Sequence, residues 1–116
     1  MRSWCRTSSY PILLVAVDDD ELVGSVSLIE SDMPHHLDWA TRGPWLSGLY
    51  VVPQHRRRGI ATALVIACED HARSCGVRTL LLYTSRARML YERLGWRVLE
   101  SMTYQGELST VMTKDL

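Results

Sequence analysis

The first part of the chain alternates between apolar and polar stretches in the pattern of a strand hairpin. Ile12 to Val17 is a continuous run, apolar on both faces, which predicts a buried strand. The acidic residues Asp18 to Glu21 predict a turn, and Leu22 to Ile29 predicts a second strand paired with the first. Residues 30–44 contain two prolines and no clear period, so we expect a long loop there.

The middle of the chain has the pattern of a strand, a helix and a further strand. Trp45 to Val52 is a short apolar strand followed by a proline. From Ile60 to Cys75, apolar residues recur at spacings of four and three, which predicts an amphipathic helix with Glu69 away from its apolar stripe. Val77 to Tyr83 has the composition of a fully buried strand. A strand–helix–strand unit of this kind places its two strands parallel.

The last part of the chain predicts a helix at Arg86 to Leu94 and strands at Trp96 to Met102 and Leu108 to Lys114. The whole pattern is that of an α/β fold with a mixed, mostly antiparallel sheet around a central parallel βαβ unit. A chain of 116 residues makes one core. We therefore expect one domain over residues 12–116, preceded by an N-terminal segment over residues 1–11.

Composition and charge narrow the classes of function. Hydrophobic residues make up 47% and charged residues 22% of the chain, as in an ordinary globular domain. The 13 basic and 13 acidic side chains balance, which argues against nucleic acid as a partner. No apolar run approaches the ~20 residues that span a bilayer, so no membrane partner is expected. The 3 cysteines have neither metal nor disulfide spacing, which favours a reducing, cytoplasmic setting.

A basic loop follows the strand that ends at Val52 and opens directly into the predicted helix. It contains Arg56, Arg57 and Arg58, followed by Gly59. The first turn of a helix presents unpaired backbone N–H groups at the positive end of the helix dipole, an arrangement that binds phosphate. Gly59 allows close backbone approach to an anion, and the arginines add forked donors. The pattern indicates an anion site, and a solvated charge run is the alternative.

Two segments resemble motifs of one enzyme family. Residues 56–61 read Arg-Arg-Arg-Gly-Ile-Ala and resemble the acyl-CoA pyrophosphate loop of the GCN5-related N-acetyltransferases. Residues 87–96 read Ala-Arg-Met-Leu-Tyr-Glu-Arg-Leu-Gly-Trp and are similar to a second segment of that family, with Tyr-Glu at its centre. The two segments occur in the family's order, separated by a helix and a strand. The resemblance extends from about Ile12 to the C-terminus.

The resemblance implies that the chain binds acetyl-CoA as a cosubstrate. Backbone N–H groups of residues 57–62 would hold the pyrophosphate, and the arginine side chains would add peripheral charge. The third strand would diverge from its parallel neighbour, and its backbone would pair with the pantetheine amides. An ordinary core strand is the alternative. The residues assigned to the cosubstrate on this basis are Leu49, Tyr50, Val51, Arg56, Arg57, Arg58, Gly59, Ile60, Ala61 and Thr62.

Tyr91 is the candidate catalytic residue that the resemblance implies. In the family the matching tyrosine often protonates or hydrogen-bonds the leaving thiolate, a role that suits a phenol beside the sulfur. The alternative is a helix tyrosine whose ring packs in the core, with its hydroxyl at the edge.

A general base is not evident in the sequence. Many members of the family carry a Glu on the strand before the loop, whereas Trp45 to Gly48 contains no carboxylate. The candidates lie in the long loop, where a solvated side chain is the more typical role. They are Glu30, Asp32, His35, His36 and Asp38. Two adjacent histidines chelate one ion poorly, so no metal is expected.

The function implied by the resemblance is transfer of an acetyl group from acetyl-CoA to an amine acceptor. The acceptor would be a small molecule or a peptide, attacking directly in a ternary complex. The alternative is a non-catalytic CoA-binding module or truncated remnant, because the expected carboxylate and N-terminal elements are missing. A third interpretation is a strand-pairing interaction module, which would have no affinity for CoA.

The family usually begins with a strand and two helices before the hairpin, whereas residues 1–11 precede it here. This short form would leave the edge of the Ile12 strand and an apolar face uncovered, which proteins rarely tolerate. We therefore expect a two-fold homodimer through this region, with the partner chain supplying part of the acceptor wall. Alternatively, residues 1–10 fold back over the edge.

Overall fold

The computed structural model describes residues 12–30, 32–33 and 42–116, which form a mixed sheet with two helices. The strands are β1 (Ile12–Asp18), β2 (Glu21–Ile29), β3 (Trp45–Val51), β4 (Thr79–Thr84), β5 (Arg97–Tyr104) and β6 (Glu107–Asp115). The helices are α1 (Ile60–Ser74) and α2 (Arg88–Arg93), and a single 3₁₀ turn, Pro53–His55, lies between β3 and α1. The N-terminal segment over residues 1–11 lies outside the described residues.

The six strands lie in the order β1-β2-β3-β4-β6-β5. The β3–β4 pair is parallel, and the other four neighbouring pairs are antiparallel. The predicted fold class, a mostly antiparallel sheet around a parallel βαβ unit, is therefore confirmed. Each described helix and strand lies within a few residues of its predicted bounds.

The turn between β1 and β2 confirms the predicted hairpin. Asp18 pairs with Glu21, so Asp19 and Asp20 form a two-residue connection. Both residues have positive φ, at 49° and 64°. This is the backbone of a type I′ turn, whose twist matches that of the flanking strands. Aspartate tolerates the left-handed conformation better than most side chains, which explains a hairpin turn without glycine.

The predicted burial of β1 holds for one face only, and the other apolar face is uncovered among the described residues, as expected from the missing N-terminal elements. Ile12, Leu14 and Ala16 pack against the main core, whereas Leu13 and Val15 are 64% and 48% exposed. β1 is also an edge strand of the described sheet, and no described element covers the face that carries Leu13 and Val15. A continuous apolar run does not distinguish a doubly covered strand from an edge strand with one apolar face in solvent.

The placement of Glu69 on a polar side of α1 is wrong. Its carboxylate is buried, accepts a hydrogen bond from Trp96 Nε1 at 3.0 Å and lies 2.8 Å from Lys114 Nζ. Lys114 Nζ also donates to the carbonyl oxygen of Leu94, at 2.7 Å. These contacts join α1, the end of α2 and β6. Hydrophobic periodicity predicts burial from the polarity of each residue alone. It cannot predict that a charged residue is buried when its hydrogen-bond partners are distant in sequence.

We predict that Lys114→Met will lower the free energy of unfolding by about 3 kcal/mol, because it leaves the Glu69 carboxylate buried without its cation. Urea unfolding measures this loss. Arg97→Met is the matched control, since Arg97 forms an exposed ion pair with Asp115 at 3.5 Å. An exposed pair contributes about 1 kcal/mol or less. Equal losses in the two variants would contradict a stabilising role for the buried pair.

The homodimer stays a prediction, and the exposed face of β1 provides its test. Val15→Lys places a charge in the middle of that face, so it should convert a dimer into a monomer in sedimentation velocity at tens of micromolar. Leu99→Lys is the control, because Leu99 is similarly exposed, at 44%, on β5 at the other edge of the sheet. A wild-type protein that sediments as a fully active monomer would refute the dimer.

Candidate active site

The site is built around the divergence of β3 from β4. Within the described residues, the two strands pair at one position, Trp45 with Leu81. The N–H of Leu81 donates to the carbonyl oxygen of Pro44 at 3.1 Å. Beyond this point β3 continues along β2, and β4 continues along β6. A gap therefore opens between two central strands, and backbone groups on its sides lack a strand partner.

A β-bulge bends β3 where the gap begins. Ser47 pairs with Ser27 and Tyr50 pairs with Ser25, so two residues of β3 oppose one residue of β2. One of the two is Gly48, whose φ of 66° is the left-handed conformation of a bulge glycine. Nearby, a Cβ on Gly24 would lie 2.9 Å from the carbonyl oxygen of Tyr50. Glycine at position 24 therefore lets β2 stay close to the bulged strand.

One end of the gap is a cavity of about 260 Å³ at the start of α1, which we call the cradle. Its lining consists of the loop after β3, the first turn of α1 and two residues of α2. These residues are Val51, His55, Arg56, Arg57, Gly59, Ile60, Ala61, Thr62, Leu90 and Arg93. The lining contains three arginines and no acidic side chain, so the cradle suits an anion.

The first turn of α1 presents free backbone donors to the cradle. Gly59 is its N-cap residue, with φ of 79°, and no side chain of the described residues caps the turn. The first helical hydrogen bond runs from Ala63 N–H to the carbonyl of Gly59, at 3.0 Å. The N–H groups of residues 60–62 therefore have no partner within the helix. A Cβ on Gly59 would meet no atom within 4 Å, so the position is open as well as left-handed.

The three loop arginines have different surroundings. Arg56 Nε donates to the carbonyl oxygen of Val51 at 2.8 Å, and the guanidinium lies 5.6 Å from the centre of the Tyr50 ring. Arg57 lines the cradle with a φ of 66°. Arg58 is exposed and does not line it. Arg56 thus fastens the loop to β3, and Arg57 contributes charge directly to the cavity.

The residues of β3 assigned to the cosubstrate are distributed along the gap. Val52 N–H donates to the carbonyl oxygen of Val23 on β2, at 2.9 Å. Because backbone groups alternate in direction along a strand, the N–H and C=O of Val51 point away from β2 and toward the gap. The carbonyl oxygen of Val51 accepts the hydrogen bond from Arg56, so the N–H of Val51 is the group that faces the gap. Leu49 lines a second cavity further along β3, whereas the side chain of Tyr50 lines neither cavity.

The second cavity, about 440 Å³, lies between the diverging strands, and we call it the cleft. It is lined by the bulge of β3, Asp32 after the end of β2, the end of β4 and the residues that follow it, the start of β6 and one residue inside α2. The side chains that line it include Asp32, Ser47, Leu49, Tyr83, Tyr91 and Glu107. Leu49 and Tyr91 line the cleft, whereas Val51 and Leu90 line the cradle, so the two cavities are neighbours along β3 and α2.

Tyr91 combines the two interpretations that its sequence position allows. Its ring packs edge-on against Trp96, with centroids 6.0 Å apart, and the residue is 5% exposed. It also lines the cleft, and its hydroxyl has no hydrogen-bond partner among the described residues. Burial, and next the neighbouring Cys68, raise the pKa of Tyr91 to about 12. The phenol is therefore protonated throughout the neutral range and has a hydrogen to donate.

The cleft contains carboxylates and no basic side chain of the described residues. Burial raises the pKa of Asp32, and a hydrogen bond with Ser47 partly offsets this. Burial and the nearby Asp32 also raise the pKa of Tyr83. Among the predicted bases, Asp32 lines the cleft and Glu30 does not, and His35, His36 and Asp38 lie outside the described residues.

Several residues of the two cavities were not predicted from the sequence. They are His55, Leu90 and Arg93 in the cradle, and Tyr83 and Glu107 in the cleft. Leu90 and Arg93 lie close to Tyr91 in the segment that resembles the family motif, so their place in the sequence could have indicated a role in the site. No feature of the sequence indicated Glu107, because it reaches the cleft through the pairing of β6 with β4.

The described residues contain no group of three or more side chains suited to holding a metal ion. None of the helices in the same residues has the length and apolar character required to cross a membrane.

Comparison with known proteins identifies the family. The family model described as "Acetyltransferase (GNAT) family" matches residues 1–96 of the 116-residue chain. The chain belongs to this family of acetyltransferases. Among curated proteins, none matches the sequence significantly.

Solved structures of the family share the fold. An aminoglycoside 6'-acetyltransferase type Ii is 28% identical, with a TM-score of 0.71, over 90% of this chain and 68% of that one. A GCN5-related N-acetyltransferase from Rhodopseudomonas palustris is 27% identical, with a TM-score of 0.71, over 97% and 66%. An aminoglycoside 6'-N-acetyltransferase complexed with coenzyme A is 24% identical, with a TM-score of 0.73, over 90% and 72%.

We predict that Gly59→Asp will lower the affinity for acetyl-CoA at least about 100-fold, because it places a carboxylate beside the unpaired N–H groups of α1. Titration calorimetry on the folded proteins measures this. Gly106→Asp is the matched control, since Gly106 has a φ of 85° and equally open space in the β5–β6 turn. Similar affinities for Gly59→Asp and wild type would exclude the cradle as the binding site.

Proposed function

We propose that this protein transfers an acetyl group from acetyl-CoA to an amine acceptor, by direct attack in a ternary complex. The observation that carries the proposal is the gap between β3 and β4, along which an arginine-lined cradle and a cleft containing Tyr91 are neighbours. Family membership and neighbours solved with coenzyme A support an acyl-CoA donor. The free thiols of Cys68 and Cys75 support a reducing, cytoplasmic setting.

The donor would lie along the gap with its diphosphate in the cradle. The N–H groups of residues 60–62 and the side chains of Arg57 and Arg93 would bind the diphosphate. The pantetheine arm would run along β3, where Val51 N–H faces the gap, so that an extended amide replaces the missing strand. This direction brings the thioester toward Leu49 and Tyr91.

Tyr91 would assist departure of the thiolate. The amine nitrogen attacks the thioester carbonyl carbon, a C–N bond forms and the C–S bond breaks, and the phenol donates its hydrogen to the sulfur. A pKa of about 12 makes a phenol a weak acid toward an ordinary thiolate in water. Exclusion of water by the bound substrates would raise the pKa of the departing thiol as well, because desolvation disfavours the thiolate.

We predict that Tyr91→Phe will lower the rate of acetyl transfer about 100-fold or more, while the affinity for acetyl-CoA stays unchanged, because the ring is kept and only the donor is removed. Steady-state release of thiol, followed with a chromogenic disulfide, measures the rate. Tyr104→Phe is the control, since Tyr104 is buried but does not line the cleft.

Two outcomes would count against this role. An unchanged rate in Tyr91→Phe, with chemistry rate-limiting, would remove Tyr91 from the mechanism. A wild-type protein that binds acetyl-CoA but releases no thiol with any amine would instead favour the non-catalytic CoA-binding module.

A further inference from the structure

We propose that the acceptor carries two ammonium groups, one bound at Asp32 where it reacts and the other bound at Glu107. This inference rests on the proposed acetyl transfer and specifies the substrate class for the same site. The favoured acceptors are short diamines, and larger compounds in which two amines are as close together as in a short diamine.

The charge of the cleft supports a cationic acceptor. Asp32 and Glu107 both line it, and neither forms an ion pair with a described residue. The cradle, at the other end of the gap, contains three arginines and no acidic side chain. A cation entering the cleft would therefore meet two uncompensated carboxylates, whereas the diphosphate of the donor is directed to the cradle.

The hydroxyl of Tyr91 opens into the cleft. The residue is 5% exposed and lines the cleft, and no hydrogen bond joins its hydroxyl to a described residue. Among the described residues, His55 Nδ1 is the fully buried side-chain atom without a hydrogen-bond partner, so the Tyr91 hydroxyl is accessible to a ligand in the cleft. We therefore place the reacting groups beside Tyr91, at the end of the cleft where the first amine binds.

Asp32 and Glu107 lie on different walls of the cleft, and we assign them different roles for this reason. Asp32 forms a hydrogen bond with Ser47, two residues before Leu49 on β3. It therefore lies against the strand that we assign to the donor. Glu107 begins β6, which reaches the cleft across β4. Tyr83 lies near both, since Asp32 and Glu107 each contribute to the raised pKa of its hydroxyl. The reacting amine belongs at Asp32 and the second cation at Glu107.

Asp32 would also provide the base that the strand before the loop lacks. Its carboxylate takes one proton from the bound ammonium and passes it to solvent, and the neutral amine then attacks the thioester. The nitrogen loses a second proton as the amide forms. That proton replaces the one that Tyr91 gives to the thiolate. The products are the monoacetylated amine, which keeps its second ammonium, free CoA thiol and one proton.

The experiment compares butylamine with diaminobutane as acceptors for the whole protein, with thiol release as the rate and mass spectrometry of the product. We expect wild type to use diaminobutane about tenfold more efficiently in kcat/KM, the effect of one charge-assisted contact. Glu107→Gln should remove this preference by lowering the diaminobutane value to that of butylamine. Asp32→Asn should lower kcat for both acceptors by about 100-fold, without changing the affinity for acetyl-CoA.

Asp70→Asn is the charge control, because it removes one exposed carboxylate on α1, where Asp70 pairs with Arg73. It should leave the preference intact. Equal use of the two amines by wild type, or a preference that survives in Glu107→Gln, would overturn the two-cation site while the acetyl transfer stands. Absence of turnover with every amine would overturn the acetyl transfer itself, and this inference with it. Circular dichroism confirms that each variant is folded.

Discussion

The separation of β3 from β4 is the constraint on which the rest of the molecule depends. Two adjacent parallel strands in a sheet normally share hydrogen bonds along their length, and each unpaired buried group costs free energy. Here β3 and β4 share one pair, Trp45 with Leu81, and then diverge. The bulge at Gly48 turns the backbone of β3, and Gly24 lets β2 follow it closely. The bulge and the close contact of β2 with β3 hold the two halves of the sheet apart. A ligand can therefore enter between β3 and β4 without breaking a strand pair.

The half-sheets on either side of the gap are joined by a buried ionic contact below it. Glu69 on α1 binds Lys114 on β6 and the indole of Trp96, and Lys114 also binds the carbonyl of Leu94 just after α2. A cation at the C-terminal end of a helix complements the helix dipole. Trp96 packs in turn against Tyr91. The contact therefore fixes the position of Tyr91 relative to the N-terminal turns of α1, although the two elements belong to opposite walls of the gap.

Hydrophobic periodicity and turn residues were sufficient to predict every described α-helix and strand and the parallel unit, because these features depend on local sequence, whereas the 3₁₀ turn at Pro53–His55 was not predicted. The cradle was also predictable, since a loop that opens into a helix places its donors by backbone geometry. Features set by contacts distant in sequence were missed. Glu69 was placed on a polar side because its partners lie 27 and 45 positions away. Glu107 was not considered, because only strand order brings β6 to the cleft.

The two cavities along the gap carry opposite charge. The lining of the cradle contains three arginines, whereas the lining of the cleft contains the carboxylates of Asp32 and Glu107. Anions and cations are therefore attracted to different cavities. An anionic donor and a cationic acceptor are then drawn to different ends of one gap. Their reactive groups meet between the two ends, where Leu49 and Tyr91 lie.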